Sequence, residues 1–284
     1  MTAPRALRSG RVLAGAALIL FVASCALFAP LLARHDPGDQ DLLSILLPPA
    51  WQHGGDTAFP LGTDSLGRDE LARLLFGGRL ALVVAITAAC GAALLGAVLA
   101  HIAGYFGGSI DWLIGRAVEV WMSFPPVILS LILMVGLGTG ADKVVLAIIL
   151  VDWTRFCRVM RAEVLVTARR DYIAAARLSG FTHWQTLTRE IVPATLPLLI
   201  TLLSLEMGIA VIVEAVLSFV GLGVSADQTA WGQMIADARS NFAQAPWTLL
   251  LPMAAIFLTV TGFNLSGDGL RRTLDVRLGS ARSA

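Results

Sequence analysis

Six runs of apolar residues, parted by polar segments rich in Arg, Gly and Pro, set the pattern of this chain. A helix needs roughly 20 apolar residues to cross a bilayer. On that basis the pattern predicts spans over Val12–Ala33, Leu80–Ile102, Val118–Leu137, Val144–Met160, Leu196–Val220 and Trp247–Ser266. The third is interrupted by Pro125 and Pro126, which membrane helices tolerate where neighbours satisfy the freed carbonyls, and the fourth carries Asp152, Arg155 and Arg158. The opening run is longer than the roughly 7 to 15 apolar residues of a cleaved signal peptide, so it reads as a retained first span. The chain thus divides into a leading 1–11, a first span 12–33, a polar segment 34–79 and a five-helix core over 80–266, with 267–284 trailing. Polar stretches at 161–193 and 221–246 interrupt that core.

Composition agrees with a lipid environment. The chain is 56% hydrophobic and only 14% charged, against roughly 25% charged in soluble domains. A net charge of +1 offers none of the clustered basic surface that nucleic-acid binding requires. If the N-terminus is inside, fifteen Arg fall on that side, including Arg5, Arg8, Arg11, Arg277 and Arg282, against six Arg or Lys on the other. The positive-inside rule then predicts cytoplasmic termini, a cytoplasmic 161–193, and external segments at 34–79 and 221–246. Trp121, Trp153, Trp231 and Trp247 fall near span ends and read as interfacial anchors. Cys25, Cys90 and Cys157 form no CxxC and the four His are scattered, so no metal site is expected.

The segment between the fourth and fifth spans is the most specific. Ala174, Ala175 and Ala176 keep one helix surface small, Gly180 suits a left-handed position after a helix, and Thr182 with Gln185 has capping-box spacing. The expected element is helix, turn, helix. Phe181 and Trp184, just beyond the turn, read as interface residues if the segment lies outside lipid.

These residues resemble the EAA loop of the membrane subunits of binding-protein-dependent ABC importers: Glu-Ala-Ala, three residues, Gly, nine residues, Ile-x-Leu-Pro. Ala174–Ala176, Gly180 and Pro193 keep the spacing; Ala174 stands in place of Glu, Glu190 of Ile and Val192 of Leu. The run Pro60–Asp69 is similar to the segment after the first span of dipeptide, oligopeptide and nickel permeases. Leu217–Gly223, Trp231-Gly232 and Phe263–Arg271 resemble their C-terminal part, of the C-type subunit. The resemblance implies an all-α membrane protein with the six-helix type I ABC importer permease fold in the bacterial cytoplasmic membrane. It implies a related second permease subunit, two ATPase subunits docking on Ala174, Ala175, Ala176, Gly180, Phe181, Thr182, Trp184 and Pro193, and an external solute-binding protein delivering cargo. ATP and Mg would sit on the ATPases, with no cofactor in this chain. The implied cargo is a di- or oligopeptide, with nickel or a metal–metallophore complex as the alternative.

The residues themselves agree on ATP. A P-loop needs a Lys that reaches the phosphates, and the single lysine, Lys143, is flanked by Asp142 and Val144. Glu206 and Glu214 lie within the fifth span, where a carboxylate is unfavourable unless it faces the bundle interior or water. Eight residues at about 100° each leave them about 80° apart, so both can face one side. They read either as lining the translocation path or subunit interface, or as a hydrogen-bonded packing pair. Asp152 and Arg155 can pair at i,i+3 at the membrane edge. An ion-coupled secondary transporter with Glu206, Glu214 and Asp152 as a relay would be a different class, one that usually shows inverted repeats. An intramembrane enzyme would need a motif such as HExxH or GxSxG, and the sequence has neither.

Overall fold

Prolines and charges, rather than hydropathy, decide where the helices begin and end. The computed structural model describes residues 10–225 and 228–274, the side chains of 272–274 aside. Of the charges that orient the sequence, Arg5, Arg8, Arg277, Arg282 and the Arg272 side chain therefore lie outside the described residues. The first apolar run folds as α1 (Gly10–Leu27) and a short α2 (Ala29–Leu32), not as one helix over Val12–Ala33. Pro30 cannot donate to the Ala26 carbonyl and its ring crowds the preceding turn, so the chain breaks at Phe28.

The second expected span, α3 (Glu70–Phe106), starts at Glu70 rather than Leu80, taking the end of the expected 34–79 connection. Asp69 caps it, accepting from the Leu71 N–H at 3.0 Å. Arg73, in the first turns, is almost wholly buried yet paired. Its Nη1 donates to Asp64 Oδ2 at 2.5 Å and its Nη2 to Asp237 Oδ2 at 3.0 Å. Arg68 joins the same two carboxylates at 2.6 and 2.8 Å. This four-residue network lets a helix begin in a charged stretch that hydropathy assigns to a loop.

The expected third span is two helices, α4 (Gly108–Met122) and α5 (Pro126–Leu137), bent by 88°. Pro125 is extended and Pro126 restarts the helix, as Pro does at a first turn. Then follow α6 (Ala141–Ala168), α7 (Asp171–Leu178), α8 (His183–Thr186), a π-turn over Leu187–Ile191, α9 (Val192–Phe219), α10 (Trp231–Ala238) and α11 (Pro246–Leu274). No strand occurs among the described residues, only a bridge between Thr63 and Asp69. Among the described residues four helical runs are long and apolar enough to cross a membrane: Gly10–Leu27, Glu70–Phe106, His183–Phe219 and Pro246–Arg271. The α4–α5 pair would make a fifth, and α6, at 28 residues, is long enough but charged along its middle.

Small residues set the packing. Ala81, Ala85, Ala88, Ala92, Ala100 and Ala103 of α3 are fully buried, mostly against α6. A Cβ on Gly96 would stand 3.0 Å from the Cys157 backbone nitrogen of α6 and closer still to the Trp153 carbonyl oxygen, so the two helices meet nearly backbone to backbone there, as small-residue interfaces allow in lipid. On the other flank α1 packs on α11, where a Cβ on Gly15 would meet Ser266 Oγ at 2.6 Å.

Two of the expected tryptophan anchors are core residues instead. Trp231 at the start of α10 is 2% exposed. It lies across Gly77 and Gly78 of α3 and donates through Nε1 to the Leu74 carbonyl at 2.9 Å. Trp153 is likewise buried, its ring 6.5 Å from that of Trp121. The other two keep some exposure, with Trp121 donating to the Leu150 carbonyl and Trp247 to that of Thr63.

Candidate functional site

Helix α7 ends in a Schellman motif. The Gly180 N–H donates to the Arg177 carbonyl at 3.0 Å and the Phe181 N–H to that of Ala176 at 3.2 Å, the two bonds that close such a terminus. Gly180 has φ +91°, with nothing within 4 Å of the position a Cβ would occupy. Its requirement for glycine is therefore backbone conformation alone. Two residues later α8 opens with the expected capping box. Thr182 Oγ1 accepts from the Gln185 N–H at 3.2 Å, and Gln185 Oε1 accepts from the Thr182 N–H at 2.9 Å.

The hairpin is seated on the ends of α3 and α6. Ile173, Leu187 and Ile191 form a buried cluster with Val164, flanked by Tyr105 and Ala168. Tyr105 bonds His183 Nδ1 through its hydroxyl at 3.0 Å, and the Arg177 guanidinium lies 5.2 Å above its ring. Pro193 occupies the first turn of α9. Just before it the Val192 N–H reaches back to the Leu187 carbonyl, five residues away. Widening the turn where Pro193 has no N–H to give is a usual adjustment around proline in membrane helices.

This seating sorts the candidate docking residues. Ala174, Ala175, Thr182, Trp184 and Pro193 are exposed, whereas Ala176 and Phe181 are half-buried. Trp184 is 70% exposed, and Leu178, which the sequence reading did not single out, is 90% exposed. Two bulky apolar side chains standing free on either side of one rigid turn form a surface with no partner among the described residues. Leu178 has its own signal: it precedes Ser179-Gly180 at the end of a helix whose inward anchor, Ile173, lies on another face.

The two glutamates of α9 are both buried but belong to different sites. Glu214 accepts from the Ser218 hydroxyl at 2.7 Å, one turn on within the same helix. Glu206 Oε2 accepts from Arg155 Nη1 at 3.1 Å, and Arg155 Nη2 lies 3.5 Å from Asp152 Oδ1. The expected Asp152–Arg155 pair is thus part of a triad. It lies midway along α6 rather than near an end. The sequence could not join Arg155 to Glu206, 51 residues apart, because that link depends on how α6 and α9 pack. A groove of about 360 Å³ between α4 and α6 is lined by Glu119, Met122, Arg158 and Arg161 among others, with Arg161 paired to Asp111.

Residues 92–280 match the family model described as binding-protein-dependent transport system inner membrane component. The chain belongs to that family. Residues 5–49 match a second model, the N-terminal TM domain of oligopeptide transport permease C. The chain is 36% identical over 269 residues to the di/tripeptide transport system permease protein DppC of Pseudomonas aeruginosa, covering 95% of this chain and 89% of that one. It is 35% identical over 279 residues to the glutathione transport system permease protein GsiD of Pectobacterium atrosepticum, covering 97% and 90%. The oligopeptide transport system permease protein OppC of Bacillus subtilis is 32% identical over 264 residues, covering 93% and 85%. The resemblance read from the central loop and the C-terminal motifs is therefore borne out. This is a multi-pass membrane permease subunit, and the secondary-transporter and intramembrane-enzyme expectations are set aside.

Proposed function

We propose that this subunit forms half of the translocation path of an ATP-driven peptide importer in a bacterial cytoplasmic membrane, paired with a related permease subunit. The three relatives named above carry peptide transport in their names, glutathione being a tripeptide, and this supports peptide over nickel or a metallophore. Six crossings follow if α4–α5 together and α6 each count as one, which would put both termini and the α7–α8 hairpin on one side; the excess of Arg on that side supports its being the cytoplasm. Two ATPase subunits hold ATP and Mg, and an external solute-binding protein delivers the cargo to the opposite face. The observation that carries this reading is the hairpin itself: its turn closed on both sides by the Gly180 and Thr182–Gln185 bonds, anchored underneath by Ile173 and Tyr105, and presenting Leu178 and Trp184 outward.

Nucleotide closure of the ATPases would push on that hairpin and be passed to α6 and α9, which flank it directly. Reconstitution tests the reading. The four-subunit complex in proteoliposomes, given its binding protein and a dipeptide, should hydrolyse ATP and accumulate the dipeptide, while the purified chain alone should do neither. Hydrolysis by the chain alone, or accumulation without ATP, would overturn it.

A further inference from the structure

We propose that Arg155 is a recognition point for the terminal carboxylate of the peptide in transit, held in place from behind by Asp152 and Glu206. The inference rests on the peptide-importer reading above and assigns that path a chemical contact. Arg155 lies midway along the 28-residue α6 and Glu206 midway along the 28-residue α9. The two acids are buried, their side chains 4% and 2% exposed, whereas the Arg155 side chain is 37% exposed. One hydrogen bond, Nη1 to Glu206 Oε2 at 3.1 Å, and one longer contact to Asp152 at 3.5 Å hold the guanidinium. A guanidinium carries five N–H donors in a planar fork, so donors remain unspent on its open side.

Where that open side faces follows from solvation. A charged group midway along a membrane helix faces a cavity or a partner rather than acyl chains. In a subunit that forms half of a path, the cavity is the path. Peptides that share one carrier differ in their side chains but share an α-carboxylate. That is the anion a planar fork meets with two parallel hydrogen bonds. A free arginine would bind such a group too well for rapid passage. The two acids leave the cluster with no net positive charge, and Glu206 Oε1 has no hydrogen-bond partner, so the fork is neither locked in a closed ion pair nor unopposed. A transport path needs contacts favourable enough to enter and weak enough to leave.

The test uses the complete transporter in proteoliposomes, with alanyl-alanine as the free acid or as its C-terminal amide, each supplied at a measured load on the binding protein. The variant is Arg155→Gln with Asp152→Asn and Glu206→Gln, which leaves no buried carboxylate facing a lost cation. Import of the free acid should fall about tenfold, the loss expected for charge-assisted hydrogen bonds, while import of the amide changes less than about twofold and Arg155→Lys falls between. Equal loss for both peptides, or no loss, would overturn the proposal. A second measurement needs no variant to assemble. In the wild-type complex the free acid should protect Arg155 from phenylglyoxal, read by mass spectrometry, and the amide should not; identical modification with either peptide would overturn it. A wild-type complex that imports neither peptide defeats the peptide-importer reading itself, whereas free-acid import with an unchanged acid-to-amide ratio in the variant defeats only the assignment to Arg155.

Discussion

The Tyr105 hydroxyl and His183 Nδ1 lie 3.0 Å apart, tying the last turn of α3 to the first residue of α8. Nearly eighty residues of chain separate them, with α4 and α5 leading away from one and α6 leading back to the other. The bond makes the hairpin part of the helical body rather than a loop suspended from it.

Tyr105→Phe removes that bond and keeps the ring beneath Arg177. A net hydrogen bond of this kind contributes about 1 kcal/mol, so the subunit should insert and assemble. Amide exchange over residues 181–186 should quicken severalfold while α3 and α9 stay protected. Unchanged exchange there would mean that the Ile173 cluster alone seats the hairpin.

At Gly180 the expected result depends on backbone geometry, because nothing crowds the site. Gly180→Val should add strain of about 1 to 3 kcal/mol, while Gly180→Asn, which tolerates the left-handed region, should add much less. Membrane abundance should match wild type in both. ATPase co-purification or coupled uptake should fail in the Val variant and survive in the Asn variant. Normal association and uptake with Val would make the turn an ordinary connector.

Removing one partner of the Asp64–Arg73–Asp237–Arg68 network should be costly, since it strands a buried charge. Asp64→Ala should destabilise the subunit by about 3 to 5 kcal/mol, the usual penalty for breaking a buried pair. That would show as lower abundance and a lower melting temperature in detergent. Arg116→Ala, whose partner Glu119 is as exposed as itself, should be neutral by the same assay, because exposed pairs contribute about 0 to 1 kcal/mol.

Orientation is tested by labelling. Single cysteines at positions 53 and 183, both exposed, in a cysteine-free background should react with an impermeant maleimide in intact cells at 53 only. Reaction at 183 would invert the topology.

Local chemistry made the hairpin legible. The motif at Gly180 and the box at Thr182–Gln185 depend on residues within a few positions of one another, so their spacing alone specifies them. The span count was readable wherever an apolar run was uninterrupted, as in α9 and α11. It blurred where proline or charge intervened. Pro30 split the first run, Pro125 and Pro126 turned the third through 88°, and α3 extended to Glu70 because distant Asp237 neutralises Arg73. Trp231 looked like an interfacial anchor only because its receptor, the Gly77-Gly78 step, is more than 150 residues away. Arg155 and Glu206 were each visible as charges within apolar runs, but their pairing belongs to the packing of two helices.

The alanine and glycine seam between α3 and α6 has a mechanical meaning. Side chains that interdigitate can slip by changing rotamers, but two backbones in near contact have no rotamers to change, and close-packed interiors pass strain on rather than absorb it. The pair therefore moves as a single strut about 40 Å long, at 1.5 Å per residue over the 28 residues of α6. A displacement of the hairpin at the foot of this strut reaches its far end, beside α5 and Gly140, as a tilt of the whole strut and not as a bend within it.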